Sequence, residues 1–486
     1  MTTSGATLRS SARGEIGRPV DLDISGAWIL DPVSGRSGPG EIVVRVGKIE
    51  SITWLEGDAA AGIDDRGIVV TPGFIDLHVH LREPGNTAAE TIATGLAAAA
   101  HGGFTTVCAM PNTTPPIDRK ELAAAALASA HASGSPVALR QLAAVTAGRA
   151  GEQLSAMSGL AAIDEVVGFS DDGSPVQDPG LFRNALLYAA MLGKPIVDHP
   201  EDLRLTAGAE ANEGLVATVL GLAGWPAAAE AEAVARDIAI LGDVVRDQPN
   251  ARLHLTHLST AGSIAHVRAA KAAGLPVTCD VTPHHLGLTD EWIAGSRRWA
   301  WEALDGDGAA RDPWRGSALT AGPYDTSLRV NPPLRSAVDA RACLDGLLDG
   351  TVDAIATDHA PHTEFDKDVE FGAARPGIAG IETALGIVLE LVEAGLLPLD
   401  RAIGALTSGP ARVLAGALGG GAGPAGLEEG AAADLVIFDR SGRWTVGADS
   451  LLTKGFGHPL AGRSLPGEIL LTIAGGRLAY EAEPTD

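Results

Sequence analysis

The chain has 486 residues, of which 45% are hydrophobic and 20% charged, which is typical of a globular protein and excludes a fibrous or disordered one. Its formal charge of −25 argues against nucleic acid or an anionic membrane as partner, because both are negatively charged themselves. A small-molecule enzyme fits this composition better.

Residues 1–20 contain arginines and small polar residues but no apolar core, so we expect a loose tail and no secretory signal. Short strands separated by Gly, Pro and Asp turns follow in "GAWILDP", "GEIVVRVGKIESITW" and "RGIVVTPG". We assign residues 21–71 to the N-terminal part of a small β-sandwich.

From residue 72 to about residue 430, short apolar strands alternate with helical segments rich in Ala and Leu. Eight strand candidates occur there: "FIDLHVH", "FTTVCAM", "VALRQLAAV", "VVGFSDDG", "GKPIVDHP", "ARLHLTHLS", "LPVTCDVTPHHL" and "DAIATDHAPH". This alternation predicts a parallel sheet, and eight strands favour a closed (β/α)8 barrel of the TIM type over an open sheet. Residues 431–486 return to strands, which we expect to pair with the N-terminal strands in one β-sandwich.

One segment inside the barrel region, residues 289–328, does not follow the alternation. It is long, rich in Gly and Asp, and contains four of the eight tryptophans. Long ordered loops in compact domains usually serve a function, so we interpret this insert as an active-site lid or an oligomer contact.

The three cysteines, Cys108, Cys279 and Cys343, are far apart and show neither a disulfide framework nor the spacing of a thiolate zinc site. No apolar run is long enough to span a bilayer. We therefore expect a cytoplasmic protein. Phosphate-loop, zincin, serine-hydrolase and CxxC motifs do not occur in the sequence.

Several strand candidates end in residues that bind metals. His78 and His80 point to the same face of the first barrel strand, because side chains in a strand alternate with a period of two. A lone pair of this kind is more often packed or solvated than ligating. However, His199, His257 and Asp358 end later strands, at the face where barrel enzymes hold their catalytic groups. This set is too large for one catalytic zinc ion, which predicts two metal ions and a bridging anion.

The candidate bridge is Asp171 or Asp172 of "GFSDDG", at the end of another strand candidate. A solvated turn is the alternative interpretation of this stretch. A carbamylated lysine is a poor alternative, because the nearby Lys194 begins its strand and so lies at the wrong face of the barrel.

Seven motifs occur in one order along the chain: "PGFIDLHVHLREPG", "GGFTTVCAMPNTTPPID", "GFSDDGSPVQD", "DHPED", "THLST", "RVNPPLR" and "ATDHAPH". In these motifs the chain resembles the bacterial class I dihydroorotases of the amidohydrolase superfamily, over about residues 20–480. The resemblance implies a metal-dependent enzyme that interconverts N-carbamoyl-L-aspartate and L-dihydroorotate in de novo pyrimidine (UMP) biosynthesis. It also implies a hydroxide held between two zinc ions as nucleophile, with Asp358 as general acid and base.

The resemblance implies roles for individual residues. One zinc ion would be bound by His78, His80, Asp172 and Asp358, and the second by Asp172, His199 and His257, which makes Asp172 the bridge and Asp171 a turn or supporting residue. The substrate would be bound by Arg82, Asn112, Asn331 and His362 and by the backbone at Pro376 and Gly377. Arg82 would hold the substrate carboxylate, a role that suits a planar bidentate donor better than a surface salt bridge does. The alternative for Asn112 and Asn331 is a plain turn beside proline.

Two other functions stay open. A hydantoinase or allantoinase shares the barrel and the paired histidines, but it usually bridges its metals with a carbamylated lysine, and "FSDDG" contains none. An inactive homologue that serves as a scaffold for aspartate transcarbamoylase would tend to lose ligands, and this chain retains them. Besides its small-molecule substrate, the resemblance leaves a homodimer and a complex with aspartate transcarbamoylase open as assemblies.

Overall fold

The computed structural model describes residues 2–3, 6–10, 15–296, 312–314, 319–415 and 426–483. Strands precede the barrel in the N-terminal part of the chain: β1 Thr2–Thr3, β2 Ala6–Ser10, β3 Leu22–Asp31, β4 Arg36–Arg45, β5 Lys48–Trp54 and β6 Ile68–Pro72. We predicted a loose tail for residues 1–20, but β2 pairs antiparallel with β3. Leu8 of β2 is buried in the core of this sheet. The stretch "ATLRS" has one large apolar side chain, which is too weak an alternation to predict a strand without its partner.

The next strands are β7 Phe74–Val79, β8 Phe104–Ala109, β9 Ala138–Ala143, β10 Val166–Phe169, β11 Ile196–Asp198, β12 Ala211–Asn212, β13 Gly224–Trp225, β14 Leu253–Leu255, β15 Val277–Val281 and β16 Ala354–Ile355. Leaving aside β12 and β13, which pair with each other, these strands form one parallel eight-stranded sheet in the order β16-β15-β14-β11-β10-β9-β8-β7. A further bridge between Val79 and His359 joins the two edges. The eight predicted strands are therefore confirmed, and the sheet is a nearly closed barrel.

Helices cover the outside of the barrel and its ends. They are α1 Ile92–His101, α2 Lys120–Ala132, α3 Met157–Ala161, α4 Pro179–Met191, α5 Leu215–Leu220, α6 Ala228–Val244, α7 Ala261–Ala272, α8 Pro283–Gly287, α9 Ala337–Asp349, α10 Glu364–Lys367, α11 Ala384–Glu393, α12 Leu399–Leu406 and α13 Ser408–Leu414. Side chains from these helices and from the barrel strands form the largest apolar core of the described residues, including Phe104, Phe182 and Val267. The core fixes the strands and thereby the loops that follow them.

The C-terminal strands are β17 Leu435–Thr445, β18 Ser464–Ala474 and β19 Arg477–Glu481. β17 lies between β6 and β18 and is antiparallel to both. Both ends of the chain therefore build one mixed nine-stranded sheet, as the sequence predicted, with a core of its own that includes Ile29, Val70 and Ile437.

Gly73 connects this sheet to the first barrel strand, because it alone separates β6 from β7. A Cβ atom at this position would lie 2.3 Å from the side chain of Thr105, so the close approach of the two strands requires glycine. The sheet thus holds the start of the strand that carries His78.

The insert of residues 289–328 is described at 289–296, 312–314 and 319–328, while 297–311 and 315–318 lie outside the described residues. Trp292 and Trp314 are fully buried, and their rings meet edge to face with centroids 5.8 Å apart. Trp314 Nε1 donates a hydrogen bond to the carbonyl of Gly287, and the guanidinium of Arg463 lies over both indole rings. These tryptophans are core residues; the lid or oligomer contact stays a prediction.

All three cysteines are buried and unpaired, in agreement with the absence of a disulfide pattern. Among the helices of the described residues, none combines the length and the hydropathy that a membrane span requires.

Candidate active site

The side chains for which we predicted metal binding lie together at the carboxyl ends of the barrel strands. They are His78 in β7, His80 directly after it, Asp172 after β10, His199 after β11, His257 after β14 and Asp358 after β16. All of them are buried, with at most 6% of their surface exposed. Because parallel strands of a barrel end at one face, residues 280 positions apart in sequence meet here.

His78, His80 and Asp358 form the first group of donor atoms. The Nε2 atoms of His78 and His80 are 3.2 Å apart. Oδ1 of Asp358 lies 3.0 Å from Nε2 of His80 and 3.4 Å from Nε2 of His78. The three atoms thus surround one point, where an ion could lie.

Asp172 lies between this group and a second pair of histidines. Its Oδ1 is 3.4 Å from Nε2 of His78, 3.4 Å from Nδ1 of His199 and 3.6 Å from Nε2 of His257. Nδ1 of His199 and Nε2 of His257 are 2.9 Å apart. One carboxylate therefore touches both halves of the site, which is the arrangement that a bridging ligand needs.

These separations fit zinc or a similar divalent cation. Donors about 2.0–2.1 Å from a tetrahedral zinc ion lie about 3.4 Å from one another, and most of the distances above are close to that value. Imidazole and carboxylate ligands also suit this class of metal. The residues present could hold two cations that share Asp172.

The carboxylates of the site stay ionised despite their burial. Burial favours the neutral form of Asp172, but His78, His199 and His257 hold the pKa of its carboxyl well below the usual range. The pKa of Asp358 is lowered too, since His78 and His80 outweigh the effect of burial. Two carboxylates and four imidazoles supply the oxygen and nitrogen donors that zinc takes as ligands.

Asp171 lies apart from the six donor groups. Its Oδ1 accepts hydrogen bonds from the backbone N–H groups of Val145 and Thr146, and its Oδ2 accepts one from the Thr146 hydroxyl. Burial raises the pKa of Asp171 to about 6. This geometry supports the choice of Asp172 over Asp171 as the bridge.

Three further residues orient the histidines, and sequence reasoning missed two of them. Thr256 Oγ1 lies 2.8 Å from Nδ1 of His78, and Glu201 Oε2 lies 2.7 Å from Nε2 of His199. Asn112, predicted to contact substrate, accepts from Nδ1 of His80 at 2.8 Å and donates to Oδ2 of Asp172 at 3.1 Å. Such partners fix which ring nitrogen faces a metal.

Arg82, predicted to hold the substrate carboxylate, lies beside the donor groups, and it contacts His362, predicted to bind the substrate. Nε of Arg82 donates to the carbonyl of Pro361 at 3.0 Å, and one terminal nitrogen lies 3.2 Å from Nε2 of His362. The same His362 nitrogen is 2.8 Å from the carbonyl of Pro376. Burial and the charge of Arg82 lower the pKa of His362 to about 3, so its ring is neutral. Arg82 and His362 thus form one positively charged group.

Asn331 and Gly377 complete the predicted set. Nδ2 of Asn331 donates to Oε2 of Glu201 at 3.3 Å, which places the amide next to the second histidine pair. A Cβ atom at Gly377 would lie 2.5 Å from the carbonyl of Ala360 and 2.9 Å from the ring of His362. Only glycine allows this approach, so the backbone at residue 377 is held close to the Arg82 group.

Three residues of this site have left-handed backbone conformations. The φ angles are +57° at Arg82, +41° at His257 and +46° at Asp358. Residues other than glycine adopt such angles rarely, and strained conformations of this kind cluster at functional sites. The left-handed backbone conformations therefore lie in the same region as the side chains predicted to bind metal and substrate.

Comparisons with known proteins agree with this geometry. A family model described as "Dihydro-orotase-like" matches residues 67–260. The chain is 44% identical to a dihydroorotase of Anaeromyxobacter dehalogenans (strain 2CP-1 / ATCC BAA-258), over 96% of this chain and 99% of the relative. It is 43% identical to a dihydroorotase of Pelotomaculum thermopropionicum, over 95% of this chain and 98% of the relative.

Solved structures resemble the fold at low sequence identity. The L-hydantoinase (dihydropyrimidinase) of Arthrobacter aurescens superimposes with a TM-score of 0.72 at 22% identity, over 94% of this chain and 95% of the other. The dihydropyrimidinase of Brevibacillus agri gives 0.70 at 19% identity, with 94% of each chain covered. These structures support the barrel with its added sheet, and the relatives identify the family. The chain belongs to the dihydroorotase family of the amidohydrolase superfamily.

Proposed function

We propose that this chain is a metal-dependent dihydroorotase, which interconverts L-dihydroorotate and N-carbamoyl-L-aspartate in de novo pyrimidine biosynthesis. The observation that carries the proposal is the position of Arg82 with His362 beside the donor groups around Asp172. A cyclic amide that bears a carboxylate would offer its anion to this pair while its ring amide faces the metal side. This is the chemical description of dihydroorotate.

We propose two zinc ions per chain, one at His78, His80, Asp172 and Asp358 and one at Asp172, His199 and His257. Zinc bound there would polarise the amide carbonyl and make the attacking water more acidic. Asp358 is the group that we expect to take a proton from this water and deliver it to the ring nitrogen as the C–N bond breaks.

Arg82 and His362 would orient the substrate through its carboxylate, a charge that does not change during the reaction. Asn112 would keep Asp172 and His80 in place and use its second amide hydrogen for substrate. The backbone at Pro376 and Gly377 would close the pocket beside His362. In this proposal positioning, rather than covalent chemistry, is the contribution of these residues.

Turnover of two paired substrates tests the proposal. Dihydrouracil is dihydroorotate without its carboxylate, and loss of a charged hydrogen-bonded contact costs about 2–5 kcal/mol. We expect the zinc-loaded chain to hydrolyse dihydroorotate and to hydrolyse dihydrouracil about 30- to 5,000-fold less efficiently. Faster hydrolysis of dihydrouracil, hydantoin or allantoin would instead establish the related cyclic amidase. No hydrolysis of any of them by a chain with two bound zinc ions would favour the scaffold role.

We further propose that the enzyme works in the cytoplasm, where its three buried thiols would stay reduced. The homodimer and the complex with aspartate transcarbamoylase stay predictions from the sequence. Sedimentation of the chain alone, and mixed with the transcarbamoylase of the same organism, tests both.

A further inference from the structure

Glu201 connects the metal side of the site to its substrate side. The residue is 5% exposed, and a single oxygen of it, Oε2, lies 2.7 Å from Nε2 of His199 and 3.3 Å from Nδ2 of Asn331. The hydroxyl of Thr206 donates to the other oxygen and fixes the carboxylate plane. In the described part of the chain, Glu201 has no ion pair with a lysine or arginine. The Glu201 carboxylate therefore accepts hydrogen bonds from His199 and Asn331 of the site and from Thr206, which holds it in place.

The contact with Glu201 decides which nitrogen of His199 can bind a metal. A carboxylate only accepts hydrogen bonds, so in the neutral ring that metal binding requires, the hydrogen of His199 is on Nε2. The lone pair is then on Nδ1, the atom that faces Asp172 and His257. Without Glu201, the ring could rotate or change tautomer at little cost, and the donor atom would be lost.

The same contact decides which end of Asn331 meets the substrate. The amide nitrogen must face Glu201, because two acceptors would repel each other. The carbonyl oxygen of Asn331 is then left over, and it is buried with no hydrogen-bond partner among the described residues. A buried acceptor without a partner is costly unless a ligand completes it. The ring N–H groups of a cyclic amide are donors of the kind required.

We infer that Glu201 is a positioning residue that holds Nδ1 of His199 toward the metals and the carbonyl oxygen of Asn331 toward a substrate N–H. The inference rests on the proposed function and deepens it, because it states that Asn331 accepts a hydrogen bond from a ring N–H of the substrate. The first half concerns metal affinity and the second concerns KM, so they can be measured separately.

The test compares Glu201→Met, which removes both acceptors, with Glu201→Gln, whose carbonyl oxygen can still accept from His199 and Asn331. We expect Glu201→Met to bind zinc about 10- to 100-fold more weakly, the range found when a partner of a metal-bound histidine is removed. Competition with a chelator dye measures this without an activity assay. At saturating zinc, the KM of Glu201→Met for dihydroorotate should rise about tenfold or more, equivalent to one lost hydrogen bond. Glu201→Gln should restore most of both properties.

A double variant tests whether Glu201 acts through Asn331. Asn331→Ala should raise KM by itself, and adding Glu201→Met should raise it little further, because coupled residues are not additive. KM increases that multiply would overturn the Asn331 half of the inference. Wild-type zinc affinity in Glu201→Met would overturn the His199 half. If Glu201→Gln loses as much zinc affinity and raises KM as much as Glu201→Met does, the carboxylate does not act as an acceptor. The whole inference is then wrong.

Asp202→Asn is the matched control, because this neighbouring carboxylate pairs with Arg204 instead of with the site. It should keep the zinc affinity and the KM of the wild type. Melting curves of all variants identify any that fail to fold, and the Gln variant keeps the comparison decisive if Met does not fold. Should the wild type bind zinc but not hydrolyse dihydroorotate, the proposed function fails, while the zinc comparison still decides the His199 half. The KM comparison would then use whichever cyclic amide is hydrolysed.

Discussion

At the scale of single residues, Asp172 and Asp171 are neighbours with opposite surroundings. Asp172 faces the imidazoles of His78, His199 and His257, whereas Asp171 accepts hydrogen bonds from Val145 and Thr146. We therefore expect Asp172→Ala to bind fewer than two zinc ions per chain and to lose most of its turnover. Asp171→Ala should keep both ions and lose less activity, although unpaired N–H groups would reduce its stability by about 1–3 kcal/mol. Metal analysis of the two purified variants measures the difference.

The assignment of Asp172 as the bridge also predicts whether the enzyme depends on bicarbonate in solution. An aspartate is always present, whereas a lysine carbamate must form from CO₂, and Lys194 precedes β11 at the end opposite His199. Zinc loading and turnover of the wild type should therefore be independent of added bicarbonate. Activation by bicarbonate, or an Asp172→Ala chain with two ions and a normal rate, would contradict the role of Asp172.

Arg82 is expected to act on the substrate and not on the metals. Its guanidinium contacts Pro361 and His362, and among the described residues it makes no hydrogen bond to any of the six predicted metal ligands. Replacing it with methionine should lower kcat/KM for dihydroorotate about 30- to 5,000-fold, equivalent to about 2–5 kcal/mol, with zinc content unchanged. Arg375→Met, at an exposed position beside Pro376, is the matched control and should behave as wild type. Near-normal kcat/KM in Arg82→Met would remove Arg82 from the substrate site.

At the scale of elements, the strand ends could be predicted because their signals are local. The alternation of strand and helix and the period of two within "FIDLHVH" are visible in a few residues, and they suffice to bring His78 and Asp358 to one face. The residues that orient the predicted metal ligands are not visible in this way. Thr256 contacts His78 across 178 positions of sequence, and this contact depends on the order of strands in the barrel. Strand β2 was missed for the same reason, because its strand conformation depends on pairing with β3 and not on a local sequence pattern.

The insert of residues 289–328 was located from the sequence, but the burial of its residues Trp292 and Trp314 was not predicted. Trp314 is 2% exposed, packs against Trp292 and donates to the carbonyl of Gly287, the last residue of α8. Trp314→Ala should therefore lower the free energy of unfolding by about 3–5 kcal/mol, as for other large buried side chains. Trp54→Ala, at a half-buried position in β5, should cost clearly less. Chemical denaturation of both variants measures this, and equal losses would show that the insert tryptophan is not part of the core.

At the scale of the whole molecule, the sheet and the barrel depend on each other. β6 passes directly into β7 through Gly73, and β18 packs against α11 through the close contact of Gly467 with Leu389. Thr472 of β18 also donates to the carbonyl of Ala100 at the end of α1. The sequence predicted that both chain ends pair, because each has strand patterns that lack a partner nearby. It did not predict the order of nine strands, which is set by contacts over more than 350 positions.

The barrel face that holds the donor groups should also couple metal binding to the stability of the fold. The six predicted ligands come from the ends of five strands and lie together only in the folded barrel, so we expect zinc to bind the folded chain much more tightly than the unfolded one. At a free zinc concentration 1,000 times the Kd, such binding adds about 4.1 kcal/mol per site. We expect the wild type stripped by a chelator to melt several degrees lower than the zinc-loaded chain, and zinc to restore the melting temperature. Asp172→Ala, which lacks the shared ligand, should gain much less from zinc. Superimposable melting curves of stripped and zinc-loaded wild type would show that these histidines and aspartates do not form a metal site.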